Sequence, residues 1–217
     1  AAARYTEIVD AAHEAGVTLR TGSDEVLEAM SPDAQGIVAV LDRPQALLED
    51  VAALNPRLVA VLLNVRDPGN AGTVIRAADA AGADAVLLAG ESVDVLNPKV
   101  VRSTAGSLFH LPVVAGASYD DVLGAVHGLG MAVLAADGVG PHDLDDLLDV
   151  AGAPGAGQPD LAAPTAWVFG NEAWGLRPED RDRADAVVRV PIRGRAESLN
   201  LATAATVCLY GSARAQR

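Results

Sequence analysis

Three short stretches hold most of the side chains in this sequence that could do chemistry. The first is Asp67-Pro68-Gly69-Asn70-Ala71-Gly72, with Arg76 just beyond it. The second is Gly170-Asn171-Glu172-Ala173-Trp174-Gly175-Leu176. The third runs from Val190-Pro191-Ile192 through Arg193-Gly194-Arg195 to Ser198-Leu199-Asn200. Amide, hydroxyl, carboxylate and guanidinium groups on three loops can orient a small polar group and hold anions. Proton abstraction is less well served, because no His and no unpaired carboxylate stands there as an evident general base. Read singly, the residues are ordinary: Arg76 is a solvated helical Arg, Ser198 is the N-cap of the last helix, and Gly170 and Gly175 make turns.

Several other chemistries lack their signatures. The chain has no GxxxxGK[ST] phosphate loop and no GxGxxG between a strand and a helix, which disfavours a dinucleotide-binding oxidoreductase. Gly155-Ala156-Gly157 lies in an Ala, Gly and Pro-rich stretch and reads as surface loop. His13, His110, His127 and His142 are scattered without metal-ligand spacing, so no metal is expected. Ser198 is not in a GxSxG elbow. The single cysteine, Cys208, sits in an apolar helical pattern and reads as core.

The groups must be positioned by the elements around them. With 217 residues, half of them apolar, the chain can bury one large core. From Leu58 onward, apolar runs at Leu58–Leu63, Ala85–Ala89, Met131–Ala136, Ala166–Phe169 and Ala186–Val190 alternate with helical patterns. That order predicts an α/β fold with a parallel sheet and helices on both faces. Helices are predicted at 71–81 closed by Gly82, at 98–105, at 120–126 behind Ser118, at a short turn from Pro178, and at 199–214. Residues 4–53 read differently: helices over 5–15 and 24–30, a buried strand over 36–41 and a short helix over 44–53. Fifty residues are too few for a good core, and the first residue is not Met, so an N-terminal part is expected to be missing.

Net charge is −13, of which residues 1–53 carry −7 and the remainder −6. From Arg189 to the C-terminus five Arg face one acid, Glu197, so a basic rim on an acidic body is expected. No apolar run is long enough for a bilayer span and the start lacks a signal-peptide layout; a soluble, cytoplasmic protein is expected.

Taken in this order, each after a predicted strand, the three motifs resemble the SpoU (TrmH-like) branch of the SPOUT superfamily. Its members methylate a ribose 2'-hydroxyl of ribosomal RNA or tRNA with S-adenosyl-L-methionine. The resemblance covers residues 54–217, while Gln35-Gly36-Ile37-Val38-Ala39 is similar to the end of the ribosomal-protein-L30e-like RNA-binding domain of many relatives. It implies a domain boundary at 53/54, a C-terminal trefoil knot, a homodimer, and the cofactor bent against the knot. The domain remnant points to 23S ribosomal RNA, with tRNA as the alternative substrate. A knotted RNA-binding factor without catalysis is the alternative class.

By that resemblance Gly170, Val190, Ile192, Ser198 and Leu199 bind the cofactor, and Arg76, Asn70, Glu172, Ser198 and Asn200 form the catalytic set. An adenine needs an apolar slot with backbone donors, which Val190, Ile192 and Leu199 suit. A guanidinium scarcely deprotonates, so Arg76 is expected to clamp an RNA phosphate and steady the developing alkoxide, not to act as a base. Tight pairing of Glu172 with a sulfonium would favour the ground state, so Glu172 is expected to orient Arg76 or Asn70, within the chain or across the dimer. RNA phosphates are expected on Arg76, Arg193, Arg195, Lys99 and Arg102.

Overall fold

The computed structural model describes residues 5–43 and 46–217, which fall into two units dividing at residues 44 and 45. The helix at Leu48–Ala53, on the N-terminal side of the expected boundary at 53/54, buries Val51 in a core of the larger unit.

The smaller unit holds α1 (Thr6–Glu14) and α2 (Asp24–Met30), neither of which buries a residue. The hydroxyl of Tyr5 donates to the carbonyl of Gln35. The strand expected over 36–41 does not form, and Val40 is 84% exposed. Apolar sequence alone does not make a strand; its backbone needs a partner, and this unit offers none among the described residues. The helix expected over 44–53 is α3 (Leu48–Ala53), with Asp50 accepting from the Leu47 amide at 2.8 Å; Pro44 and Gln45 lie outside the described residues.

In the larger unit, α3 is followed by β1 (Leu58–Leu63), α4 (Pro68–Ala81), β2 (Ala85–Ala89), α5 (Pro98–Ser103), a 3-10 turn at Ser107–Phe109, and β3 (Val113–Ala117). There follow α6 (Tyr119–Gly128), β4 (Ala132–Ala136), β5 (His142–Asp143), α7 (Leu144–Asp149), β6 (Thr165–Phe169), α8 (Pro178–Arg181), β7 (Ala186–Arg189) and α9 (Leu201–Ala215). The seven strands form one sheet in the order β3-β2-β1-β6-β4-β7-β5, and every pairing is parallel. The register sets Val61 beside both Leu87 and Val168.

Alternate residues of β1 separate two cores. Leu58, Ala60 and Leu62 join Val74, Ile75 and Ala78 of α4 and Ala205, Cys208 and Leu209 of α9. Val59, Val61 and Leu63 join Val51 of α3 and Val122, Leu123 and Val126 of α6 on the other face. Because both faces are covered, β1 and β2 are apolar at every position and β6 at all but Thr165, whose buried hydroxyl donates to the Ala163 carbonyl at 2.9 Å. Trp167 and Phe169 on β6 stack with ring centroids 6.4 Å apart, and the buried indole N–H donates to Ser212 Oγ on α9 at 2.9 Å.

Two helix starts differ from expectation. α4 begins at Pro68, not Ala71, because Pro needs no partner for a missing N–H at the first helical position, and Asp67 caps it by accepting from the Asn70 amide at 2.7 Å. α9 begins at Leu201 with Asn200, not Ser198, as its N-cap; Oδ1 of Asn200 accepts from the amides of Ala202 at 2.9 Å and Thr203 at 3.4 Å. The first residue α9 buries is Ala202, so helical packing starts only there. The apolar pattern predicts no strand at β3, which is an edge strand, largely exposed and interrupted by Gly116 at φ +83°. Among the described residues no helix is long and apolar enough to cross a membrane.

Candidate active site

The three motif stretches begin at the carboxyl ends of β1, β6 and β7, on one edge of the sheet, where ligands of parallel α/β proteins collect. β1 and β6 are neighbours, and β4 separates β6 from β7.

Asn64 organises the β1 end. It takes φ +57°, a left-handed conformation that Asn tolerates better than most residues. In that pose its Oδ1 accepts from the Glu91 amide at 2.8 Å, beyond β2, and its carbonyl accepts from Nδ2 of Asn171, beyond β6, also at 2.8 Å. One residue therefore ties three strand ends. Asn171 is buried, and its Oδ1 accepts from the Ala173 amide at 2.8 Å while its backbone pairs with Gly175 at 2.8 and 2.9 Å. The second loop is thus a closed ring. A Cβ added at Gly170 would lie 2.5 Å from the Leu176 nitrogen and closer still to the Gly175 carbonyl, so the space at Gly170 is filled by the protein's own loop.

Glu172 joins the second loop to the first. Its Oε1 accepts from the Asp67 amide at 3.1 Å and its Oε2 from the Arg66 amide at 3.3 Å. It makes no hydrogen bond to Arg76 or Asn70 within the described chain; what it holds there is the backbone that leads into α4. The reason is geometric: two successive amides pointing out of a strand end match the two oxygens of one carboxylate. The Arg66 side chain pairs with Glu91 and lies 5.6 Å over the ring of Trp174.

Asn200 joins the third loop to the first. With Oδ1 committed to the amides of α9, its Nδ2 donates to Oδ1 of Asn70 at 3.1 Å. Arg189, at the end of β7, donates to the carbonyls of Gly140 at 2.8 Å and Pro141 at 3.1 Å and pairs with Asp143 at 3.3 Å, anchoring the start of this loop. Beyond it, Val190 is half-buried against the core, whereas Ile192 and Leu199 are 40% and 37% exposed. Among the described residues, no backbone amide from Ile192 to Leu199 makes a hydrogen bond within the chain. Open apolar side chains beside unpaired donors are what an adenine requires of a slot, so the residues present fit a nucleoside cofactor.

The cationic residues are not equivalent. Arg76 is exposed on α4 and makes no hydrogen bond or ion pair among the described residues. Arg195 is likewise exposed in the third loop, and Lys99 and Arg102 are exposed on α5. Arg193 is paired with Asp145, whose carboxylate raises the guanidinium pKa further. Ser198 is exposed and holds no cap. α5 is pressed close to α4: a Cβ at Gly72 would stand 2.6 Å from the Val100 carbonyl. No group of three or more His, Cys, Asp or Glu that could hold a metal ion occurs among the described residues.

The sequence alone assigns no role to Asn64, Asn171 or Trp174. Asn171 lies inside the second motif but Asn64 stands three residues before the first, and the partners of both lie on other strands.

The all-parallel sheet with its three tied loops places the larger unit among α/β domains of the SPOUT type, and the chain matches the structure of the rRNA methyltransferase of Sinorhizobium meliloti, solved with bound AdoMet. That match has a TM-score of 0.80 at 32% identity over 97% of this chain and 77% of the other. The chain belongs to the SpoU rRNA Methylase family, whose model matches residues 57–210. It is 36% identical over 82% of its length to the 23S rRNA (uridine(2479)-2'-O)-methyltransferase of Streptomyces viridochromogenes, of which it spans 60%. It is 35% identical over 83% of its length to the 23S rRNA (guanosine(2553)-2'-O)-methyltransferase of Bacillus subtilis, of which it spans 70%.

Proposed function

We propose that the protein transfers a methyl group from S-adenosyl-L-methionine to a ribose 2'-hydroxyl of 23S ribosomal RNA. The observation that carries the reading is the pair of ties between motifs: Asn200 to Asn70, and Glu172 to the amides of Arg66 and Asp67. They draw together motif residues 130 and 105 positions apart in the chain. The 23S rRNA 2'-O-methyltransferases among its relatives support the substrate class.

When bound, the cofactor supplies an electrophilic methyl on sulfur. Gly170, Val190, Ile192 and Leu199 hold its adenosine side, and Ser198, free of the helix cap, orients its methionine end or the ribose. Arg76 clamps an RNA phosphate and steadies the oxyanion as the hydroxyl proton passes to solvent water. Asn70 and Asn200 position the hydroxyl as a linked pair, and Glu172 fixes the start of α4. Arg195, Lys99 and Arg102 add phosphate contacts, with Arg193 available on giving up Asp145. The reading includes a trefoil knot through the third motif and α9, a cytoplasmic location, no metal, and a homodimer. Exposed Val207 and Tyr210 on α9, with the Tyr210 hydroxyl donating to the Ala80 carbonyl of α4, support a dimer face there. Residues 1–53 belong, in the same reading, to the end of an L30e-like RNA-binding domain and its linker.

The test is incubation with labelled S-adenosyl-L-methionine and separate ribosomal RNA and tRNA pools, followed by mapping of the ribose protected from alkaline cleavage. Label in 23S RNA is expected. Label confined to tRNA would move the substrate, and cofactor binding without label in either pool would leave an RNA-binding factor without catalysis.

A further inference from the structure

We infer that Trp174, with Arg66 behind it, is a stacking platform for one unpaired nucleobase of the RNA, a subsite that rests on the RNA reading above. Only two Trp occur in the chain. Trp167 is fully buried and hydrogen-bonded, whereas Trp174 is 46% exposed at the tip of the second loop. An exposed indole on a mobile loop would mean little, but this loop is closed by the paired backbones of Asn171 and Gly175 and by the Asn171 side chain. The ring is also held from one side, with the Arg66 guanidinium 5.6 Å from its centroid and that guanidinium paired with Glu91.

The arrangement leaves a fixed aromatic surface beside a cation, the chemistry that receives splayed-out bases in single-stranded RNA. Its location is apt. Glu172, two residues before Trp174, grips the amides of Arg66 and Asp67, and Asp67 caps the helix that carries Asn70 and Arg76. A base stacked on Trp174 would therefore be registered against the same backbone that sets those two side chains. Stacking tolerates any base, so the platform selects an unpaired nucleotide, not a particular letter.

Because Trp167 is buried, a change of indole emission on adding RNA reports Trp174. The probes are a ten-nucleotide oligoadenylate and an abasic ribose-phosphate oligomer of equal length, read by tryptophan fluorescence and by an independent binding assay on the full chain. Oligoadenylate is expected to quench emission and the abasic oligomer to leave it unchanged. Trp174→Leu should weaken oligoadenylate binding about tenfold and abasic binding not at all, while Trp174→Phe should retain most of the affinity. Equal quenching by both oligomers, or binding of both with no dependence on residue 174, overturns the platform while leaving the RNA reading intact. Failure of the parent protein to bind oligoadenylate also overturns the platform, while the RNA reading is decided by label in the ribosomal RNA pool.

Discussion

Asn200 performs two tasks with one amide, and a single substitution separates them. Its Oδ1 accepts from the amides of Ala202 and Thr203, which leaves Nδ2 to reach Asn70 Oδ1 at 3.1 Å. In Asn200→Asp the carboxylate keeps the cap and gains about 0.3–1 kcal/mol from the positive end of the α9 dipole. The lost hydrogen bond to Asn70 costs about 0.5–1.5 kcal/mol. The two nearly cancel, so the urea unfolding free energy should move by less than about 1 kcal/mol. Methyl transfer should not be spared. An oxygen now opposes Asn70 Oδ1, acceptor against acceptor, and the Asn70 amide turns away from the position the pair had set. Loss of about 1.4 kcal/mol of transition-state positioning lowers kcat/KM about tenfold. Asn200→Ala should lose that factor and about 1 kcal/mol of stability with the cap. The decisive assay is a cycle with Asn70→Ala, comparing kcat/KM for the parent, both single variants and the double variant. If the amides act as a pair, Asn200→Asp costs little more once Asn70 is gone. Fully additive losses would refute the coupling, and parent-like turnover in Asn200→Asp would refute the role of the bond.

Three further outcomes follow from the packing. Gly170→Ala forces a Cβ against the backbone of Gly175 and Leu176, which cannot swing aside as a side chain can; denaturant unfolding should show a loss of about 1–3 kcal/mol, and unchanged stability would disprove the closed loop. Arg195→Ala should reduce the slope of log affinity for single-stranded RNA against log salt by about 0.7, whereas Arg193→Ala, whose side chain already has Asp145, should reduce it less; equal effects would contradict the pairing. Burial raises the Cys208 thiol pKa well above its ordinary range, so a thiol reagent at pH 8 should modify it only on unfolding, and rapid labelling of the native protein would show that α9 is not packed as described.

The limits of sequence reading fall at identifiable residues. Ser118 was placed correctly as the cap of α6 and Gly82 as the end of α4, at φ +77°, because both signals are local to one turn. The cap of α9 was misplaced by two residues because Ser198 and Asn200 are both competent caps, and the choice depends on where Ala202 first meets the core. Residues 36–41 have strand composition but no strand, since pairing is decided by a partner.

The sequence by itself determined the parallel sheet between two helical layers, because strands buried on both faces are apolar nearly throughout and their turns must carry Gly, Pro and caps. It also determined the three loops that matter, since motif residues keep their order and their place after strands. Only the tertiary structure decided how those loops are joined. Asn64 bridges three strand ends, Glu172 holds the amides of Arg66 and Asp67, and Asn200 reaches Asn70 across 130 residues of chain. Hydrogen bonds between distant loops depend on distances of a few tenths of an ångström, set by sheet order and helix packing, to which the spacing of residues along the chain is blind.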